Sequence, residues 1–247
     1  MIAVVDYKKG NLKSVERGLI AAGGDARITA DAREIAQADA IVLPGVGAFA
    51  DAAATMCELG QMEVIRKRVD EGVPFLGICL GLHLMFAEGV EGVCTQGDAA
   101  GAVSAPAVAP AVAPAVAFAA APASATVTAK GLGLLPGAVT KMPCENAQGQ
   151  SFKIPHVGWN SIFPANSASE FKSPLLKGIA PQEYFYFTHS YIVPDTSATI
   201  ACTEHSVVFP SVVQFRDLAF GVQFHPEKSS DAGAHLLRNF VSIAKGA

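Results

Sequence analysis

The residues from Val73 to Phe86 read Val-Pro-Phe-Leu-Gly-Ile-Cys-Leu-Gly-Leu-His-Leu-Met-Phe. An apolar, strand-like run from Val73 to Leu76 precedes a cysteine, Cys79, and an apolar helical run follows at residues 82–86. Glycine stands two residues before and two residues after this cysteine, where a sharp strand-to-helix turn needs room. The pattern predicts a nucleophile elbow that presents the thiol at the end of a sheet.

A second set of reactive groups lies far downstream, in the segment Phe224-His225-Pro226-Glu227. Proline biases the residue before it toward extended geometry, and alternate residues of an extended segment face the same way. We therefore expect His225 and Glu227 to point to one side together. With Cys79 they indicate a Cys-His-Glu site for acyl transfer, in which the histidine moves the proton and the carboxylate orients the histidine.

Other interpretations of these residue types compete with this one. A lone cysteine is more often a buried core residue, but core strands rarely place glycine on both sides of it, which favours Cys79 as a nucleophile. His189 is the main competitor as base, and its aromatic strand, residues 184–191, indicates a structural or substrate-lining role instead. Asp6 competes as the acid, but a carboxylate at a strand end commonly caps the following loop, and we favour that role.

Strand and helix patterns alternate in the first half of the chain. Residues 2–5 are an apolar run, and Asn11 is a candidate N-cap for a helix whose apolar face holds Leu12, Val15, Leu19 and Ile20. Residues 39–43 predict another buried strand that residues 44–47, Pro-Gly-Val-Gly, bring to an end, and residues 62–69 predict a helix. Repeated strand-helix-strand units indicate a parallel sheet covered on both faces, with chemistry at the carboxyl ends of its strands.

The second half changes to short strands with tight turns. They are predicted at residues 184–193, 199–203, 207–209, 211–216 and 219–224, and a final helix is predicted at residues 232–244. Together the two halves indicate the α/β class, with a mixed, mostly parallel sheet flanked by helices.

An Ala/Pro/Val-rich tract interrupts this pattern at about residues 98–129. No charged residue occurs between Asp98 and Lys130, which is long enough to raise the question of a membrane span. Prolines at 106, 110 and 114 disfavour a helix there, so an extended or disordered loop is the expectation. We expect one domain over residues 1–247 that this low-complexity insertion interrupts.

The composition excludes several classes of function. The formal net charge of −4 gives no basic stripe for nucleic acid. Five scattered cysteines without a CxxC pair indicate neither a zinc site nor a disulfide framework, and they favour a reduced, cytoplasmic setting. The first residues lack a basic start and a cleavage site, so they predict a strand rather than a signal peptide. We expect no metal, no cofactor and no membrane association.

The elbow and the His-Pro-Glu segment resemble those of the class I (triad) glutamine amidotransferases. Within that family, the chain is similar to the glutaminase subunits of imidazole glycerol phosphate synthases along its whole length except the Ala/Pro/Val tract. The further segments that carry this resemblance are Asp6-Tyr7 with Gly10-Asn11-Leu12, residues 44–49 (Pro-Gly-Val-Gly-Ala-Phe), residues 155–160 (Pro-His-Val-Gly-Trp-Asn), residues 186–191 (Tyr-Phe-Thr-His-Ser-Tyr) and residues 223–229 (Gln-Phe-His-Pro-Glu-Lys-Ser).

The resemblance implies a glutaminase. Cys79 would attack the side-chain amide of glutamine, release ammonia, and leave a thioester that water hydrolyses to glutamate. The tetrahedral oxyanion needs two donors, expected from the backbone amide of Leu80 and from the loop of Gly45, Val46 and Gly47.

The resemblance also implies the groups that hold the substrate. The backbone of Ser190 and Tyr191 would hold the glutamine zwitterion, with Glu91 as the positional candidate for its ammonium. A solvated loop charge is the competing interpretation of Glu91. Two positions depart from the family pattern: His83 stands where glutamine is usual, and Lys8 where glycine is usual.

Such subunits deliver ammonia to a synthase, so the resemblance implies a (β/α)8-barrel cyclase subunit as partner in histidine biosynthesis. Trp159, Tyr186 and Lys228 match interface positions, and core packing is the alternative for Trp159. Two other functions remain open from the sequence. One is a different triad amidotransferase or γ-glutamyl hydrolase, and the other is a non-catalytic binding module on the same fold.

Overall fold

The computed structural model describes residues 1–92 and 128–246. The elements of the first range are β1 (Ile2–Val5), α1 (Leu12–Ala21), β2 (Ala26–Thr29), α2 (Ala32–Gln37), β3 (Ala40–Gly45), α3 (Phe49–Glu58), α4 (Gln61–Asp70), β4 (Phe75–Cys79), α5 (Leu80–Met85) and β5 (Phe86–Gly89). In these two ranges, no helix has both the length and the apolar character that a bilayer crossing needs.

The second range is dominated by strands. Its elements are β6 (Ala129–Lys130), β7 (Leu135–Lys141), β8 (His156–Ser161), β9 (Phe163–Pro164), β10 (Tyr184–His189), β11 (Tyr191–Ile192), β12 (Thr199–Glu204), β13 (Val208–Phe215), β14 (Ala219–Val222) and α6 (Ser230–Ala244), with 3₁₀ turns at residues 165–167, 174–176 and 226–228.

The main sheet has eight strands in the order β2-β1-β3-β4-β14-β13-β12-β9. The first five strands are mutually parallel, and the last three add antiparallel pairs. This is the mixed, mostly parallel sheet that the alternating patterns predict. Two smaller sheets accompany it, a β8–β10 ribbon and a four-stranded sheet in the order β11-β7-β5-β6.

Helices cover both faces of the main sheet because alternate residues of each strand point to opposite sides. Ala3 and Val5 of β1 pack in one apolar cluster with residues of α2, α3, α4 and α5. Ile2 and Val4 pack in a second cluster with residues of α1 and α6. The parallel strands are therefore buried on both sides, which explains why they appear in the sequence as continuous apolar runs.

Three local features differ from the sequence predictions. Ile20 is 52% exposed, so only Val15 and Leu19 of the predicted helix face are buried. β3 ends at Gly45, within the Pro-Gly-Val-Gly segment as expected but two residues past the predicted last residue, Leu43. Beyond Val42 the strand pairs only with β4, so the missing amide of Pro44 disrupts no pairing with β1.

The third difference concerns the two strands predicted at residues 207–209 and 211–216, which are one strand, β13. Pro210 lies within it, opposite Cys202, where the pairing with β12 shifts register. Such an irregularity is where a strand tolerates proline.

The Ala/Pro/Val tract falls almost wholly on residues 93–127, outside the described residues. The described residues on either side of it pair with each other: Glu88 of β5 pairs with Lys130 of β6 in an antiparallel bridge. Thr128 donates a hydrogen bond from its hydroxyl to the Glu88 carboxylate at 2.9 Å. The described chain therefore leaves and returns at neighbouring positions beside the main sheet.

Candidate active site

Four neighbouring parallel strands end at one edge of the sheet. Gly45 at the end of β3 lies opposite Cys79 at the end of β4, and the pairing of β4 with β14 runs to Val222, three residues before His225. β1 ends at Val5, two residues before Tyr7. The carboxyl ends of parallel strands are where α/β folds place their chemistry. This edge is therefore the candidate active site.

Cys79 occupies a strained strand-to-helix turn. Its backbone has φ 53° and ψ −104°, and α5 begins at the next residue. A Cβ at Gly77 would lie 2.6 Å from the carbonyl carbon of Gly81, and a Cβ at Gly81 would lie 1.8 Å from the Leu43 carbonyl oxygen. The glycine spacing that predicts the elbow is thus required by backbone contacts on both sides of the cysteine.

Substituting Gly81 with alanine is expected to lower the free energy of unfolding by about 3 kcal/mol or more, because backbone must move to admit the methyl group. Urea denaturation measures the change. Gly133 is the matched control: its φ is +66° and nothing lies within 4 Å of an added Cβ. Gly133→Ala carries only backbone strain, about 1 kcal/mol. Equal losses in the two variants would contradict the steric argument.

His225 and Glu227 form a buried pair. The Nδ1 atom of His225 is 2.9 Å from Oε1 of Glu227, and the two side chains are 3% and 2% exposed. The two side chains meet for a reason other than the predicted one. Residues 226–228 form a 3₁₀ turn and do not continue an extended segment. The turn, rather than strand alternation, brings Glu227 back to the ring. Ser229 stabilises it by donating its hydroxyl to the His225 carbonyl at 2.7 Å.

The electrostatics of the pair favour imidazolium. Burial by itself lowers the pKa of His225, but close contact with Cys79 and Glu227 and the negative charge of both raise it to about 9. Nε2 of His225 is buried without a hydrogen-bond partner at ordinary distance. The ring is nevertheless close enough to an ionised Cys79 for the sulfur's charge to act on it. The site can therefore hold a charged imidazole beside the Cys79 sulfur near neutral pH.

Two groups close to the Cys79 sulfur were not predicted from the sequence. Gln223, fully buried, donates its side-chain amide to Sγ at 3.8 Å, and the Thr188 carbonyl lies 3.9 Å from Sγ. The Gln223 Oε1 atom is 2.9 Å from Nε2 of His83. Burial lowers the pKa of His83 to about 4, so this ring is neutral and donates to Gln223. The only sequence signal for Gln223 was its place in the segment before His225.

Tyr7 is a second residue that the sequence analysis did not assign. Its side chain is fully buried. A Cβ at Gly45 would lie 2.0 Å from the Tyr7 hydroxyl, so the loop passes directly over the phenol. Burial, and then the charge of an ionised Cys79, raise the pKa of Tyr7 above its usual range. Tyr7 therefore supports, as a neutral phenol, the loop in which oxyanion donors are expected.

A cavity of about 410 Å³ opens over Cys79. Its walls include Val46, Gly47 and Leu80 of the expected oxyanion donors, but not Gly45. All four expected substrate contacts also line it: His83, Glu91, Ser190 and Tyr191. His225 and Glu227 lie behind the walls. The backbone amide of Leu80, at the first position of α5, has no acceptor within its own helix.

The profile of the family described as "Glutamine amidotransferase class-I" matches residues 3–244. The chain belongs to the class I glutamine amidotransferase family. "Imidazole glycerol phosphate synthase subunit HisH" of Caldanaerobacter subterraneus subsp. tengcongensis is 38% identical to this amidotransferase, covering 99% of each chain. The protein of the same name from Moorella thermoacetica is 39% identical, covering 100% of this chain and 96% of its own.

Solved structures agree on the fold of the amidotransferase. A crystal structure of a glutamine amidotransferase superposes with a TM-score of 0.63 at 16% identity, covering 99% of this chain and 98% of that one. The glutaminase domain of Trypanosoma brucei CTPS, solved with bound acivicin, gives 0.59 at 16% identity, covering 99% and 93%. The predicted fold class is confirmed.

The loop after β1 of the amidotransferase accounts for two sequence observations. Asp6 accepts a hydrogen bond from the backbone amide of Lys8 at 2.7 Å, so its carboxylate caps the loop as the sequence analysis favoured. Lys8 itself has φ +67°, a left-handed conformation that glycine adopts more easily. Glycine, which the resemblance leads us to expect at this position, would adopt this conformation without strain, and here lysine adopts it.

The β8–β10 ribbon carries two of the expected interface residues, Trp159 and Tyr186, and the third, Lys228, lies in the turn at residues 226–228. Trp159 is 51% exposed and pairs in register with Tyr186, so the core alternative for this tryptophan is wrong. The Trp159 and Tyr186 rings lie 6.2 Å apart, and the Lys228 ammonium is 6.0 Å from the Tyr186 ring centroid. Val157, 57% exposed, extends this apolar face. The amidotransferase thus presents an aromatic surface with one cation close to its catalytic edge.

Proposed function

We propose that this chain hydrolyses glutamine at Cys79 and delivers the ammonia to a cyclase subunit, as the glutaminase subunit of an imidazole glycerol phosphate synthase in histidine biosynthesis. The buried His225–Glu227 pair behind the strained Cys79 turn carries this proposal, together with the name shared by its relatives. A binding module would have no need for an ion-paired histidine buried beside a thiol.

The chemistry follows from the arrangement. The Cys79 sulfur attacks the side-chain amide carbon of glutamine, and His225 gives a proton to the departing nitrogen, which leaves as ammonia. Water, deprotonated by His225, then attacks the thioester and releases glutamate with the thiolate restored. Glu227 holds the ring in one orientation and stabilises its cation throughout. The Leu80 amide and an amide of the loop from Gly45 to Gly47 would hold the oxyanion in both steps.

The cavity walls supply partners for both charged ends of glutamine. The backbone at Ser190 and Tyr191 would bind the zwitterion, with the Glu91 carboxylate facing its ammonium. Burial raises the pKa of Glu91 to about 7, although a hydrogen bond from the Phe49 backbone opposes the shift. His83, which replaces the family's usual glutamine, is neutral and orients Gln223 toward Sγ.

Glutamine is expected to bind more tightly as pH rises through 7, because only ionised Glu91 pairs with the substrate ammonium. With a pKa of about 7, Glu91 in the empty cavity is mostly protonated at pH 6 and mostly ionised at pH 8. The KM for glutamine is therefore expected to fall about tenfold over that interval. Steady-state glutaminase kinetics with the cyclase subunit present measure it.

Two variants test whether Glu91 causes the pH dependence of KM. Glu91→Gln is expected to raise KM at pH 8 and to remove its pH dependence. Glu88→Gln is the control, since Glu88 is paired with Lys130 and does not line the cavity. A KM in the unaltered enzyme that is constant from pH 6 to pH 8 would exclude Glu91 from ammonium binding.

The expected partner is a (β/α)8-barrel cyclase that would dock on the face of Trp159, Tyr186 and Lys228 and receive ammonia through an internal channel. The test is a glutamine-dependent synthase assay on the purified chain with and without a cyclase subunit. Product that requires both proteins supports the proposal. Glutamine consumption that is indifferent to the cyclase would favour a γ-glutamyl hydrolase or another amidotransferase, for which this aromatic face has no role. The cytoplasmic setting stays a prediction.

A further inference from the structure

A chain of side-chain hydrogen bonds crosses the inward face of the β8–β10 ribbon and ends at the cavity. The Asn160 amide nitrogen lies 3.3 Å from Nε2 of His156, and Nδ1 of His156 lies 3.0 Å from Nε2 of His189. Nδ1 of His189 then lies 2.9 Å from the Tyr191 carbonyl oxygen. His156 and His189 are 4% and 6% exposed, so water does not compete for these bonds.

We call this chain of hydrogen bonds from Asn160 through His156 and His189 to the Tyr191 carbonyl the relay. The groups at its two ends determine which atom donates in each bond. A carbonyl oxygen can only accept, so Nδ1 of His189 carries the hydrogen and its Nε2 accepts. Nδ1 of His156 must then donate, which leaves its own Nε2 as the acceptor for the Asn160 amide.

The other bonds of Asn160 agree with this orientation. The Asn160 nitrogen also donates to the Glu204 carbonyl at 2.8 Å, and its Oδ1 accepts from the Ser161 amide at 2.8 Å. The amide nitrogen of Asn160 therefore faces His156. Both imidazoles are neutral and in the Nδ1–H tautomer.

We propose that Asn160, His156 and His189 are positioning residues that hold the Tyr191 carbonyl and thereby fix the glutamine-binding backbone at Ser190 and Tyr191. The inference rests on the proposed function, since it assigns the relay to the substrate pocket of that same site. It explains why His189, which lines the same cavity as Cys79, is not the base: its Nε2 lone pair already accepts a hydrogen bond from His156.

The surroundings fix the rings and the backbone together. The His156 ring stacks on Phe187 and on His205, with centroids 4.9 and 4.3 Å away. From the other side, the Met142 amide donates to the Ser190 carbonyl at 2.8 Å. The backbone at 190 and 191 is thus held by β7 and by the relay. His189 lines the cavity but His156 does not, so His156 acts only through its neighbour.

The charge state of the rings agrees with the geometry. Burial, and then the nearby charge of His205, lower the pKa of His156 to about 4. Burial also lowers the pKa of His189 to about 3, against the hydrogen bond to Tyr191, which raises it. A proton added to Nε2 of either ring would face a donor hydrogen, so the relay works only with neutral rings.

Nitrogen NMR of the full-length chain labelled with ¹⁵N-histidine tests the tautomers directly. The chain has six histidines, which makes assignment by single substitution practical. At pH 7 the signals of His156 and His189 are expected to show a protonated Nδ1 and an unprotonated Nε2, whereas free imidazole in water favours the other tautomer. A protonated Nε2 on either residue at pH 7 would overturn the relay.

A matched pair of variants tests the positioning role. In His156→Asn the side-chain amide places a donor where Nδ1 stood, and His156→Leu removes that donor. Saturation kinetics of Cys79 labelling by a glutamine-analogue electrophile separate affinity from reactivity. His156→Leu is expected to raise the half-saturating concentration about tenfold, the effect of one lost buried hydrogen bond, with the limiting rate within about twofold. His156→Asn is expected to stay within about threefold of the unaltered chain.

The control is His235→Leu, a histidine of α6 outside the cavity walls, which is expected to leave both constants unchanged. Equal affinities for the His156→Leu and His156→Asn variants would overturn the positioning role. Absence of labelling in the unaltered chain would instead contradict the proposed glutaminase. The tautomer measurement needs no substrate, so it decides on the relay independently of the proposed glutaminase.

Discussion

Replacing Cys79 with alanine is expected to reduce glutamine-dependent synthase activity by about a million-fold, to the background of the assay. Cys79 supplies the only bond through which the γ-glutamyl group is carried, and among the described residues no other thiol lines the cavity. The measurement is product formation by the chain together with its cyclase subunit, with glutamine as the nitrogen source.

Two controls make the result specific to the chemistry. Ammonium salts supplied directly are expected to restore product formation, because the alanine variant removes only the source of ammonia. Cys57→Ala is expected to behave as the unaltered chain, since Cys57 is exposed on α3 and away from the cavity. Glutamine dependence that survives Cys79→Ala would remove this chain from the reaction.

Changing Glu227 to glutamine is expected to lower kcat by about 10³- to 10⁴-fold, the effect of removing the charge that orients and stabilises a catalytic histidine. The neutral amide no longer stabilises the imidazolium, so the pKa of His225 is expected to fall from about 9. Glutaminase kinetics and NMR titration of His225 measure the two effects together. Glu145→Gln, on an exposed turn, is the control. A variant that keeps kcat within tenfold would contradict the role of Glu227.

The His225–Glu227 pair also makes the stability of the fold depend on pH. The pKa of His225 is raised in the folded chain, from an ordinary value of 6.5 to about 9. Its contribution to stability is therefore complete below about pH 6.5 and is lost as pH rises through about 9. Urea denaturation of the unaltered chain and the Glu227→Gln variant should accordingly converge as pH rises across this window.

The features predicted well from the sequence are those that local physical chemistry determines. Gly77 and Gly81 indicate the elbow because backbone contacts on both sides of Cys79 exclude a Cβ at these positions. The apolar runs of the parallel strands predict the sheet because each strand is buried on both faces. In each case the residues that carry the pattern are the residues that form the predicted element.

The features that the sequence analysis missed depend on contacts distant along the chain. Nothing near Tyr7 shows that Gly45 passes over its hydroxyl, and nothing near Gln223 shows that it reaches both Cys79 and His83. Glu227 lies beside His225 as expected, but the reason differs, since a 3₁₀ turn and not an extended segment brings it there. The Asn160 relay was likewise invisible, because it needs the pairing of β8 with β10.

Four strands that end side by side contribute residues as far apart in the chain as Tyr7 and Glu227 to one catalytic edge. A fragment that lacks either half of the chain therefore lacks part of the site and cannot turn over substrate. Glutamine turnover therefore requires the whole fold to be intact. Heat inactivation should coincide with the loss of tertiary structure rather than precede it.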